Sequence, residues 1–282
     1  MNIEIIQVPY DSGHYCARTG CGPDYFVDNG LPQLLQEQGY RVNTHRVVST
    51  ASLNTENGTG FELNRHLAEH VEALDENSFP LILSGNCNSC VGGVAGLSRH
   101  DLGVIWFDAH GDFNTPETTM NGFLDGMGLA MVTGRCWRTM LRKIPGFRAV
   151  AERNVIQVGA LDLDAAEARM FKEAGIPVIT FALRTEHQFF LSFQEAIDDL
   201  ANRVKNVYVH IDMDVLDIGP VKANHLAVPG GLSVAMVSKC LELLKESFTI
   251  RGCGIASLDP AFDRERVVLN AGFRLIAKVL ER

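Results

Sequence analysis

Val104-Ile105-Trp106-Phe107-Asp108-Ala109-His110-Gly111-Asp112-Phe113-Asn114 (VIWFDAHGDFN) divides sharply in two. Val104 to Phe107 is an apolar run without alternation, which suits a strand covered on both faces and so a parallel sheet. Polarity then changes abruptly, with Asp108, His110 and Asp112 at i, i+2 and i+4. In an extended segment alternate side chains share a side, so these three are expected to point together. Two acids and an imidazole crowded this way repel strongly unless a cation sits among them. The same design returns further on, where Val207–Ile211 (VYVHI) runs into Asp212-Met213-Asp214. Aspartates also end strands and open turns, so either cluster alone could be turn chemistry. Together, five candidate ligands at the carboxyl ends of two hydrophobic strands predict a metal site for two ions.

Working outward, strand-like and helix-like stretches alternate. Strands are expected at Ile3–Val8, Arg41–Val48, Phe79–Leu83, Asn154–Val158, Val178–Ala182 and Ile250–Leu258 beside the two acid-bearing ones. Helical spacing is read in Leu31–Gln38, Glu62–Asp75, Val91–Leu97, Ala165–Ala174, Ser192–Val204, Ser233–Glu246 and Arg264–Leu280. Ala51–Gly60, Thr115–Gly128 and Val215–Gly231 read as loops. The alternation implies βαβ crossovers: an α/β fold of three layers, α/β/α, around a mostly parallel sheet of about eight strands. No repeat, low-complexity linker or composition break divides the chain, so one domain over residues 1–282 is expected. Ligand sites in such sheets lie beyond the carboxyl ends of the strands, where both acid clusters fall.

The bulk numbers narrow the function class. Of 282 residues, 46% are hydrophobic, enough for a sizeable core, and 21% are charged. A net charge of −9 without a basic run argues against nucleic-acid or anionic-membrane partners. No apolar run approaches the roughly 20 residues that span a bilayer. Met1-Asn2 leads straight into a strand rather than a signal peptide, and an odd set of seven cysteines does not suggest a disulfide framework. A reduced, cytoplasmic protein is expected.

Asp108–Pro116 (DAHGDFNTP) and His210–Asp217 (HIDMDVLD) resemble the two signature motifs of the arginase/agmatinase, or ureohydrolase, family. Supporting similarity runs through Leu83–Asn88, Gly159–Glu167, Gly230-Gly231-Leu232 and Ile255–Pro260. The resemblance implies an arginase-like fold, two Mn²⁺ ions, and hydrolysis of a guanidine or other linear amidine to a urea and an amine. Position by position it implies Asp108, His110, Asp112, Asp212 and Asp214 as ligands, Asp108 and Asp212 bridging the ions, with Asp112 also carrying a proton in catalysis. Asn114, with Asn121 nearby, matches a residue that contacts a substrate carboxylate, and Asp164 and Glu167 match acids that recognise an α-amino group. A guanidino or amidino amino acid is therefore the expected small-molecule partner. Asp164 and Glu167 also read as an N-cap and first-turn acid of the helix that follows.

The departures are informative. Cys87 stands where the family has the remaining histidine ligand, so it is a candidate but weaker metal ligand. Asp125 takes the place of a proton-shuttling histidine. Ser257 replaces the glutamate that faces the guanidinium, and Leu226-Ala227 replaces a threonine-proline. A pocket without that counter-charge fits a less basic guanidine, and N-hydroxy-L-arginine, cleaved to hydroxyurea and ornithine as in D-cycloserine biosynthesis, is the expected substrate. Arginase or another ureohydrolase activity (agmatinase, guanidino acid hydrolase, formimidoylglutamase) stays open, as does a degenerate member that only binds a ligand. Cys87-Asn88-Ser89-Cys90 is also a C-x-x-C between strand and helix, open to a redox reading. His14 and His225 fall in loops expected at the carboxyl edge. Composition leaves a homo-oligomer open.

Overall fold

Leu102–Phe107 forms a strand buried along its whole length in the computed structural model, which describes residues 1–50 and 55–281. Its two faces enter different cores. Ile105 and Phe107 join one apolar cluster, while Val104 and Trp106 join the other. That division is what an uninterrupted apolar strand between two helical layers requires.

The sheet has eight strands, here numbered β1 (Asn2–Val8), β2 (Arg41–Arg46), β3 (Ser78–Ser84), β4 (Leu102–Phe107), β5 (Val155–Val158), β6 (Val178–Ile179), β7 (Asn206–Asp212) and β8 (Thr249–Ala256). Their spatial order is β2-β1-β3-β8-β7-β4-β5-β6, and every neighbouring pair is parallel. The helices Leu31–Glu37, Glu186–Ala201, Val234–Ser247 and Val267–Leu280 pack on one face, and Glu56–Glu72, Cys90–Gly96 and Gly128–Val132 on the other. The fold is therefore the α/β/α arrangement that the alternation predicted, its sheet wholly parallel.

Register decides where the site lies. Phe107 pairs with Ile211, Ala256 with Asp212, and Ala256 with Ser84. The residues that follow β3, β4, β7 and β8 thus leave the sheet at one level, in its middle.

Several boundaries differ from the sequence reading. Of the expected loop Ala51–Gly60, residues 51–54 lie outside the described residues, and Glu56–Glu72 is already helix. Thr55 starts it by accepting a hydrogen bond from Gly58 N, and its glycines hid the start. The helix expected at Ser192 begins at Glu186, behind a Thr185–Gln188 capping box. Val178–Ala182 shrinks to two paired residues at the sheet edge. The helix expected at Arg264 starts at Val267, where Asp263 accepts from Val268 N and Leu269 N.

Gly85, just past β3, allows a backbone approach that no side chain would. A Cβ there would stand 2.2 Å from Tyr10 O and 2.6 Å from Gly20 Cα. Gly85→Ala is expected to lower unfolding free energy by about 1–3 kcal/mol, because backbone rather than a pliable side chain must give way. A reduced urea midpoint at unchanged m-value would show it.

Candidate metal centre

Asp108 and Asp212 end adjacent strands, and the chain turns immediately after each. Asp108 Oδ1 accepts from His110 N at 2.7 Å and its Oδ2 from Trp106 Nε1 at 3.1 Å. Asp212 Oδ1 accepts from Asp214 N at 2.8 Å. His110 Nδ1 lies 3.3 Å from Asp108 Oδ1 and 3.4 Å from Asp214 Oδ2. Cys87, beyond β3, places Sγ 2.8 Å from Asp212 Oδ2, 3.9 Å from Asp108 Oδ2 and 3.4 Å from Ser257 Oγ.

Asp112 reaches this cluster by another route than the alternating strand expected from its spacing. The chain beyond Phe107 is not a strand, and Asp112 has φ +48°, in the left-handed region. Its carbonyl accepts from Leu129 N and Ala130 N, which fixes the turn. A strained aspartate held by its surroundings at a site is the pattern expected where position matters more than local comfort.

The electrostatics are severe. Burial, then neighbouring carboxylates, push the acids of Asp112, Asp212 and Asp214 above the ordinary range. Burial likewise raises Asp125, to about 8, against hydrogen bonds from Asn88 N and Asn86 Nδ2. Burial opposes a charged His110, yet its Asp108 hydrogen bond and the charges of Asp214, Asp108 and Asp212 hold it protonated up to about 10. Asp112 Oδ2, Asp214 Oδ1 and both ring nitrogens of His210 are buried without a hydrogen-bond partner. Acceptors aimed at one another with lone pairs unused fit divalent cations, which neutralise the repulsion and take the lone pairs. Asp108, His110 and Asp214 bring ligand atoms within 4.8 Å of one another, and so do Cys87, Asp108 and His210.

A cavity of about 300 Å³ opens over the cluster. Cys87, His110, Asp112, Asn114, Asn121, Asp125, Asp164, Glu167, Asp212, Asp214 and Ser257 all line it, with Asp108 buried behind. Asn114 Nδ2 donates to Asp164 Oδ2 at 2.9 Å. Asp164 and Glu167 form a complete capping box, and Glu167 also accepts from Phe113 N, so both serve the scaffold as well as face the cavity. His225 lines the cavity, whereas His14 lies exposed in a small hairpin. Asn224 escaped the sequence reading. Its Nδ2 reaches Asp214 Oδ2 and Ser257 O, and its Oδ1 accepts from Leu226 N and Ala227 N. His210 was missed too, although the i, i+2 spacing used for Asp212 extends back to it.

Cys87 and Cys90 are both free and buried, and burial with nearby carboxylates raises both thiols. A redox pair needs one accessible, low-pKa cysteine, and neither of these thiols has that environment.

The family model described as Arginase family matches residues 1–281. The chain belongs to the arginase family. It is thus a ureohydrolase, a hydrolase acting on linear amidines. It is 28% identical over 289 residues to an arginase of Bacillus subtilis (strain 168), covering 99% of this chain and 97% of that one. An arginase of Staphylococcus aureus (strain COL) is 32% identical over 276 residues, covering 93% and 91%. The crystal structure of arginase from Bacillus cereus superposes with a TM-score of 0.88 at 26% identity, over 100% of this chain and 99% of that one. No helix among the described residues is long and apolar enough to cross a membrane.

If cations relieve the acid cluster, a divalent ion at a hundredfold its dissociation constant should add about 2.7 kcal/mol of stability. Calorimetric melting with the ion and with a chelator would read this as a higher Tm, and Asp108→Asn should shrink the difference. Independently of any ion, Asp164→Ala should cost about 1 kcal/mol through its lost cap.

Proposed function

We propose that the chain is a binuclear, manganese-dependent amidinohydrolase that prefers N-hydroxy-L-arginine and yields hydroxyurea and ornithine. The observation that carries the substrate is Ser257. It is buried, its Oγ faces Cys87 Sγ, and it lines the cavity where the family places a glutamate. A fully basic guanidinium needs an opposing carboxylate when buried. N-hydroxylation lowers the basicity of a guanidine, so the group enters neutral and needs no such partner.

The oxygen-rich set suits manganese. Asp108, His110, Asp212 and Asp214 would hold one ion, and Cys87, Asp108, Asp112 and Asp212 the other. Ions held there would lower the pKa of a bound water to near neutrality and so provide the nucleophile. Asp112 takes the proton released as oxygen bonds to the amidine carbon. Asp125, whose carboxyl burial raises, would deliver a proton to the departing amine as the carbon–nitrogen bond breaks. Asn114 and Asn121 would receive the substrate carboxylate, and Asp164 and Glu167 its ammonium group. A second reading, arginine itself as substrate, draws support from the arginase names of the relatives.

Kinetics at one pH with Mn²⁺ separate the two. N-hydroxy-L-arginine should exceed arginine by at least roughly tenfold in kcat/KM, about 1.4 kcal/mol of transition-state binding. Equal rates, or a preference for arginine, would establish the second reading. Ser257→Glu should move preference toward arginine, while Asp108→Asn and Asp212→Asn should each abolish turnover.

A further inference from the structure

The end of the sheet remote from the metal centre has a cavity of its own, about 640 Å³ in volume. Small-molecule sites occupy about 300–1,000 Å³, so the size is sufficient. Leu102, the first residue of β4, and Asn154, just before β5, line it together with Arg203, shortly before β7. It shares no lining residue with the cavity over the acids. The six residues of β4 lie between the two, about 20 Å of extended chain.

Its walls are basic in a chain whose net charge is −9. Arg99, Arg148, Arg153 and Arg203 line it with His100, against one acid, Asp101. Basic residues also gather near helix C-termini for local reasons, which accounts for two of the four. Arg99 Nη1 donates at 3.4 Å to the carbonyl of Glu72, the last residue of the helix Glu56–Glu72. Arg203 is fully engaged: Nε donates to Asn154 Oδ1, Nη2 to Arg153 O, and the fork closes on Asp199 at 2.8 and 2.6 Å. It therefore braces the segment that carries Arg153. Arg148 and Arg153 have no such duty. Both are exposed, and neither guanidinium has a hydrogen bond or ion pair to any described residue. Glu152, the neighbouring acid, is taken by Arg135. The surplus charge is felt locally, since burial and then the charges of Arg251 and Arg99 lower the pKa of His100.

We propose that this cavity binds a small, multiply charged oxyanion, a phosphate ester or a polycarboxylate, recognised by Arg148 and Arg153 with Arg99 beside them. Guanidinium forks match either oxyanion bidentately, and several of them together favour a ligand with two or more negative charges. No Phe, Tyr or Trp lines the cavity, so a nucleobase would have nothing to stack on. Sugar phosphates and tricarboxylates suit these walls better than nucleotides. The proposal is independent of which amidine is hydrolysed at the other end of the sheet.

Calorimetric titration of the whole chain with fructose bisphosphate, and separately with propane tricarboxylate, tests this. At low ionic strength one equivalent of at least one probe should bind saturably. The double variant Arg148→Ala/Arg153→Ala should weaken that binding by roughly tenfold or more. Salt at about 0.15 M should weaken it in the wild type, because the guanidiniums are exposed to screening. Asp108→Asn should bind the probe as tightly as the wild type; loss of binding there would mean that the anion sits on the metal ions, and would overturn the proposal. No saturable binding of either probe at low millimolar concentration, or unchanged affinity in the double variant, would overturn it as well. Arg148 and Arg153 hold nothing internally, so without anion the double variant should melt at the wild-type temperature. Should it melt lower, the single variant Arg153→Gln decides by the same loss or retention of affinity. Tighter binding of the bisphosphate assigns the site to phosphate esters, and tighter binding of the tricarboxylate assigns it to polycarboxylates.

Discussion

Like charges held together out of water are the constraint on which the rest of this molecule depends. Asp108 and Asp212 leave paired strands side by side, and Asp112 and Asp214 crowd in with them. In a low-dielectric interior such a group is stable only if protons or cations neutralise it. The fold supplies rigidity enough to hold it regardless. Eight parallel strands with helices on both faces fix the ends of β3, β4, β7 and β8 at one level, and burial prevents the acids from turning outward. Substrate chemistry is a use made of a repulsion that the scaffold maintains.

The second layer of residues shows how that is arranged. Trp106 donates to Asp108, Asn224 donates to Asp214, and Asn86 and Asn88 donate to Asp125. Each donor has no charge of its own and so orients a carboxylate without neutralising it. Had lysines or arginines filled these roles, they would have neutralised the cluster permanently and left no place for a cation. Among the described residues the ion pairs of arginine and lysine stand apart from the metal-site acids, at the rim (Arg18–Asp11) or the outer surface.

How far the sequence revealed this depends on the kind of signal. Strands buried on both faces and abrupt changes to acid are strong local patterns, so the parallel sheet and both clusters could be read directly. Helix starts were less legible, because Thr55 and Thr185 cap through side-chain hydrogen bonds that periodicity does not detect. The position of Asp112 was legible but its reason was not. Spacing suggested a strand, whereas a left-handed turn bonded to Leu129 and Ala130 does the work. His210 stayed hidden because it sits inside an apolar run, where a histidine reads as filler until its missing partners are seen. Asn224 lay in a loop with no spacing to mark it.

The two departures from the family pattern touch one another, and this gives them a common physical sense. Cys87 Sγ and Ser257 Oγ are 3.4 Å apart. A thiolate at 87 adds one negative charge where the family's histidine is neutral. A serine at 257 removes one where the family carries glutamate. On the proposed ligand set the total charge around the ions is therefore unchanged, while its location moves from the guanidine pocket onto the metal. A glutamate restored at 257 beside a bound thiolate would put two anions in contact in the buried floor, and the repulsion would fall on the weaker ion position. Removing the anion from the pocket and adding one to the ion cradle are thus linked steps. On the proposed reading the same exchange would both lower the pocket's claim on a charged guanidinium and let Cys87 ligate without overloading the centre.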